Sequence, residues 1–154
     1  MRRKPRELRL TSGADPQFRT LVRQLDQEYI DRFGPVAQNY QPYHTLENIQ
    51  VACLLFLEGQ AVACGALQPL EGDTAELKRV YVRPEYRRRS CGRQVVEQLE
   101  LQALFLGYRV LALETGRAMP EAIGLYTKLG YREASPWGPF VGDSLCLCMK
   151  KELV

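Results

Sequence analysis

Apolar residues follow a helical period in some stretches of this chain and form strand-like runs in others. Phe18, Leu21, Val22, Leu25, Tyr29 and Phe33 recur at helical spacing. Asp15-Pro16 supply a cap and a first turn, and Gly34-Pro35 supply a stop, which predicts a helix between them. A second, broad helical stripe runs from about Cys91 through Val95, Val96, Leu99, Leu101, Ala103, Leu104 and Leu106 up to Gly107. A third starts at Pro120, carries Ile123, Leu125, Tyr126 and Leu129, and closes at Gly130. Strand-like runs fill the gaps. Glu7–Thr11 alternates, Val51–Leu57 and Ala61–Leu67 flank the turn Glu58-Gly59-Gln60, and Asp73–Val82 follows Glu71-Gly72. Their short connections predict three consecutive antiparallel strands. Arg109–Glu114 reads as a buried strand, and Tyr131–Ala134 and Leu145–Met149 as two more, divided by Pro136-Trp137-Gly138-Pro139. Residues 36–48 lack a clear period and read as a loop with a short helix. The order β-α-(α)-β-β-β-α-β-α-β-β is that of an α+β domain with a mixed sheet. With 154 residues, no repeat and no linker, a single domain over 1–154 is expected.

Composition narrows the function classes. A formal charge of +3 and arginines without interleaved aromatics argue against nucleic-acid binding. The apolar runs are too short to span a bilayer, and the charged N-terminus predicts no secretory leader. Cys53, Cys64, Cys91, Cys146 and Cys148 form no Cys-x-x-Cys pair, and the single histidine, His44, cannot complete a zinc site with them. Four of the five lie in apolar runs, so a reducing, cytoplasmic setting and no metal are expected. The basic residues of Met1–Arg6 read as a solvated tail. The second basic cluster, Arg83 to Arg93, interrupts an apolar strand pattern and opens a helix, where unpaired N–H groups and the helix dipole favour an anion. Neither the Walker nor the dinucleotide glycine motif is present.

The residues Arg87-x-x-Ser90-x-Gly92 resemble the Arg/Gln-x-x-Gly-x-Gly/Ala signature of the GNAT superfamily of N-acetyltransferases. The preceding Glu76–Pro84 is similar to that family's fourth strand, and Pro120–Tyr131 resembles its Ala-x-x-x-Tyr-x-x-x-Gly-Tyr/Phe motif. The resemblance covers residue 50 onward, and the N-terminal third matches only in strand-helix order. It implies a mostly antiparallel central sheet flanked by helices, with acetyl-CoA as acyl donor and a small-molecule or peptide amine as acceptor. It also implies that the backbone of Val80, Tyr81 and Val82 pairs with the pantetheine arm and that the diphosphate sits on the N–H groups of Arg88, Arg89, Ser90, Cys91, Gly92 and Arg93. The side chains of Arg87, Arg88 and Arg89 would add charge-assisted contacts. Tyr126 matches the tyrosine that protonates or hydrogen-bonds the departing thiolate. It also fits a core aromatic.

Two residues depart from the pattern: Ser90 stands where the family has glycine, and Met119 where many members have asparagine. Glu76, at the start of the donor strand, is the candidate base acting through a water; it also reads as an exposed carboxylate facing Lys78. His44 is a candidate base or acceptor ligand, and equally a structural histidine. Tyr29, Phe33, Tyr40, Tyr43, Trp137 and Phe140 are candidate walls of an acceptor pocket. Cys91 reads as a packing residue, although a helix N-terminus could lower its pKa. An apolar edge strand near Leu145–Met149 leaves a homodimer open. The competing function is a non-catalytic acyl-CoA-binding regulatory module, which keeps the anion cradle without needing Glu76 or Tyr126.

Overall fold

A computed structural model describes residues 5–154. The N-terminal basic cluster therefore lies outside the described residues as far as Lys4; Arg6, its last member, is in a strand and donates to Gln94 Oε1 at 2.8 Å. Strands β1 (Arg6–Thr11), β2 (Val51–Leu57), β3 (Gln60–Glu71), β4 (Thr74–Val82), β5 (Val110–Gly116), β6 (Arg132–Glu133) and β7 (Cys146–Glu152) form one sheet in the order β1-β2-β3-β4-β5-β7-β6. All neighbours pair antiparallel except β4 and β5. Helices α1 (Pro16–Phe33), α2 (Cys91–Phe105) and α3 (Pro120–Lys128) match the three helical stripes. Residues 34–43 wind into a 3₁₀ segment, Gly34–Tyr43.

Helix α1 starts where Asp15 accepts from the Gln17 N–H at 2.8 Å, the expected cap. It covers one sheet face, packing Phe18, Leu21, Val22 and Leu25 on Ala52, Leu54 and Phe56. Helix α2 and residues of α3 cover the other, packing Val95, Val96, Leu99 and Tyr126 on Cys53, Leu55, Leu77 and Leu113. With both faces buried, β2 has no polar face to show, so its sequence reads as an unbroken apolar run. Leu54 and Leu55, fully buried on opposite faces, each contribute roughly 1.5–3 kcal/mol. Among the described residues no helix is long and apolar enough to cross a membrane.

Three strand expectations are corrected. The 131–134 strand shrinks to two residues, β6. Strand β3 runs on to Glu71, because Pro69 and Glu71 still face Ala75 and Thr74 of β4. The predicted edge strand is not an edge: β7 pairs with β5 from Cys146 to Glu152 and with β6 at Met149 and Lys150. Its apolar residues are buried on the sheet faces, Leu147 and Met149 in the main core and Cys146 and Cys148 against Phe140.

Candidate active site

Strands β4 and β5 pair only at Thr74–Val110, Ala75–Leu111 and Glu76–Ala112. Beyond Glu76 they part, β4 continuing to Val82 and β5 to Gly116. A β-bulge in β4 bends it away from its neighbour at this point. On β3, Cys64 faces Tyr81 and Ala66 faces Lys78, so Gly65 alone faces Arg79 and Val80. Arg79 adopts the left-handed φ of 58°. Gly65 permits the approach of α2, since a Cβ there would lie 2.9 Å from methyls of Val95 and Leu99. Past the bulge, Tyr81 and Val82 have strand partners on β3 only, leaving the β5-facing backbone open to an extended ligand.

The opening widens into a cleft of about 1070 Å³. At one end lies the turn before α2. Arg88 and Ser90 both hold left-handed φ, 64° and 63°, which curls the intervening backbone into a concave turn of the kind that binds anions. Ser90 makes no side-chain cap bond. The first-turn N–H groups of Cys91, Gly92 and Arg93 are thus left for a ligand, and the first helical bond is Gln94 N–H to Ser90 O at 3.0 Å. Serine at a position glycine occupies without cost strains this turn. Gly92 serves packing: a Cβ would lie 3.4 Å from Val82 and Leu125, where α2 meets β4 and α3.

The arginines of this loop divide their duties. Arg87 donates to the Val82 carbonyl at 3.0 Å and pairs with Glu28 at 2.6 Å. Arg93 pairs with Glu97 at 2.5 Å. Arg89, counted in the sequence as a cofactor contact, stacks over Tyr86 and its side chain does not line the cleft. Arg88 lines it with no ion-pair partner among the described residues. Cys91 is buried, and burial raises its thiol pKa, the opposite of an activated helix-terminal cysteine.

At the other end, Tyr29, Phe33, Tyr40, His44, Glu76, Lys78, Glu114, Tyr126 and Cys146 line the cleft. Glu76 is 4% exposed, correcting the solvated reading, although it does face Lys78 at 3.7 Å and accepts from Gln68 at 3.2 Å. Burial raises its pKa while Lys78 and Gln68 oppose the rise. Glu114 lies two residues beyond the last residue of β5 that pairs with β4; burial raises its pKa, and a hydrogen bond from the Cys146 thiol partly offsets this. Tyr126 belongs to the core cluster and also lines the cleft, its ring set at 71° against Tyr131, 5.8 Å away. Burial first, then Tyr29 and the Glu114 charge, push its hydroxyl upward. Burial, with Arg79 and Lys78, depresses His44 to about 3, which keeps the imidazole neutral. Met119 lines the cleft and offers no amide.

Tyr43, Trp137 and Phe140 do not line the cleft; Phe140 packs edge-on against both others, and Trp137 and Phe140 cluster with Tyr40. Glu114 was missed in the sequence, where its signal was a carboxylate ending the buried run Val110–Leu113. All five cysteines are free and buried, and among the described residues no group of three or more His, Cys, Asp and Glu side chains could hold a metal.

Residues 18–131 match the model of the acetyltransferase (GNAT) family. The chain is 33% identical over 135 residues to the IAA acetyltransferase of Azospirillum brasilense, spanning 86% of this chain and 88% of that protein. A structure from Klebsiella pneumoniae, assigned as an acyl-CoA N-acyltransferase, superposes with a TM-score of 0.79 at 30% identity, covering 97% and 98% of the two chains. The PaiA N-acetyltransferase of Thermoplasma acidophilum, solved with coenzyme A, shares the fold at a TM-score of 0.68 and 18% identity, over 96% and 99%.

Proposed function

The chain belongs to the GNAT family of acetyltransferases and transfers an acyl group from acyl-CoA to an amine, and from that premise we propose that acetyl-CoA lies along Val80–Val82 with its diphosphate on the turn Arg88–Arg93. The observation that carries this reading is the parting of β4 and β5 beyond Glu76, which joins an open strand edge to a concave, donor-rich turn. The five buried free cysteines fit a cytoplasmic, reducing setting.

The thioester supplies an activated carbonyl carbon and a thiolate leaving group. Glu114 takes the proton of the attacking amine. It is preferred to Glu76 because it lies beyond the last β4–β5 pair, whereas Glu76 is tied to Lys78 and Gln68. An amine of pKa near 10.4 must shed a proton at a cost of about 4.6 kcal/mol at neutral pH, so a nearby carboxylate matters. The backbone N–H groups near Val82 face the developing negative charge on the carbonyl oxygen. Tyr126, kept protonated by its raised pKa, donates to the departing sulfur.

Thiol release from acetyl-CoA across primary amines, amino acids, peptides, polyamines and IAA-type acceptors tests the reading. Amine-dependent release is expected, with kcat/KM climbing as pH rises through a limb above the ordinary glutamate value, because burial raises the Glu114 carboxyl. Glu114→Gln should remove that limb and Glu76→Gln should keep it; the reverse would return the base role to Glu76. Tight acetyl-CoA binding without release to any acceptor would contradict the proposal.

A further inference from the structure

Alternation along β4 fails at one point. Leu77 and Val80 both pack into the core on the α2 side. A regular strand sends neighbours to opposite faces, yet Lys78 and Arg79 both leave toward α1 and the 3₁₀ segment. Lys78 Nζ donates to the Tyr43 carbonyl. Arg79 Nη2 donates to the Val22 carbonyl at 3.1 Å and to Asp26 Oδ1 at 2.5 Å. The extra residue of the bulge and the left-handed backbone of Arg79 make this possible.

Arg79 is a costly fastener. Its side chain is 2% exposed, its Nε is buried without a partner, and its backbone is strained. Apolar packing would join a helix to a strand without desolvating a cation. What the contact adds is register. Its other end, Asp26, rides on α1, whose continuation supplies Tyr29, Phe33, Tyr40 and His44 to the cleft.

We propose that Arg79 is a positioning residue for acyl transfer, setting the acceptor wall built by α1 and the 3₁₀ segment against the bulged stretch of β4. This rests on the reading that the bulged strand holds the donor. One contact, buried at its Arg79 end, then fixes where the amine stands relative to the thioester.

Arg79→Lys, Asp26→Asn and the apolar pair Arg79→Met/Asp26→Leu test this in the full-length protein. Acetyl-CoA affinity is read by calorimetry, and kcat and KM with the most active amine of the panel above. Hydrogen exchange is followed in residues 34–43 and 91–105. Each variant is expected to speed exchange in 34–43 and spare 91–105. It should leave acetyl-CoA affinity within about twofold and lower kcat/KM by up to about 10²-fold, the scale of a small misplacement of reacting groups. The apolar pair should recover thermal stability without recovering kcat/KM. Recovery of both, unchanged exchange in 34–43, or a loss of activity matching only the unfolded fraction would overturn the proposal. Wild-type protein that fails to bind acetyl-CoA would instead defeat the donor reading, while the exchange comparison would still decide whether Arg79 sets the wall.

Discussion

On the β4 side of the cleft the proposed working groups belong to the main chain. They are the open edge of Val80–Val82 and the N–H groups that two left-handed residues and a helix start turn toward one point. On the acceptor side they are side chains: Tyr126 from α3, Glu114 from β5, and His44 and Tyr40 from beyond α1. A backbone site needs one short stretch in the right conformation, and its failures should appear as lost affinity. A side-chain site needs several elements held in register, and its failures should appear as lost turnover.

The strongest challenge to that division is Tyr126→Phe. It removes one hydroxyl from the acceptor side, so kcat is expected to fall about 10²- to 10⁴-fold with acetyl-CoA affinity unchanged. A parallel loss of affinity would mean the two sides are not separate. Next in size is Gly65→Ala, which places a Cβ 2.9 Å from the Val95 and Leu99 methyls behind the bulge. Urea denaturation should register a loss of about 1–3 kcal/mol; a neutral result would show that α2 can recede.

His44 sharpens the acceptor side through pH. Its folded pKa, about 3, lies below the ordinary 6.5, so the stability gained by burying it neutral is complete above pH 6.5 and is lost as pH falls toward 3. Relative to His44→Gln, the wild type should lose up to about 1.4 kcal/mol per pH unit in that window. Parallel pH profiles would remove the buried neutral imidazole from the account. The smallest expected effect is Ser90→Gly. Relief of a left-handed serine, about 1–2 kcal/mol, is mostly offset by glycine's freedom in the unfolded chain, leaving a gain of about 0.5 kcal/mol. A loss of stability instead would mean the Ser90 side chain holds the turn.

The same division explains what could be read from the residues alone. The proposed donor side lies within the continuous stretch Glu76–Arg93, so spacing and residue type sufficed to propose it, and the helices and most strands followed from apolar periodicity. The Arg89 side chain was counted because sequence gives a side chain's place along the turn but not its direction, and its stacking on Tyr86 depends on the 84–86 turn; its backbone N–H stays in the proposed cradle. The bulge at Arg79 was invisible, because two adjacent cations in a strand pattern look like ordinary solvated positions until Gly65 is seen opposite them. Glu114 reaches the site only because β5 parts from β4, an event set by three-dimensional pairing. Strand β7 looked like an edge because its apolar run shows burial without showing by what.

The most direct test is a calorimetric titration of acetyl-CoA into wild type, Gly92→Val and Glu114→Gln, followed by thiol release with one active amine. Gly92→Val should wedge a side chain between α2, Val82 and Leu125 and weaken binding by an order of magnitude or more. Glu114→Gln should bind as wild type and fail to turn over. Normal binding by Gly92→Val together with normal turnover by Glu114→Gln would contradict the account.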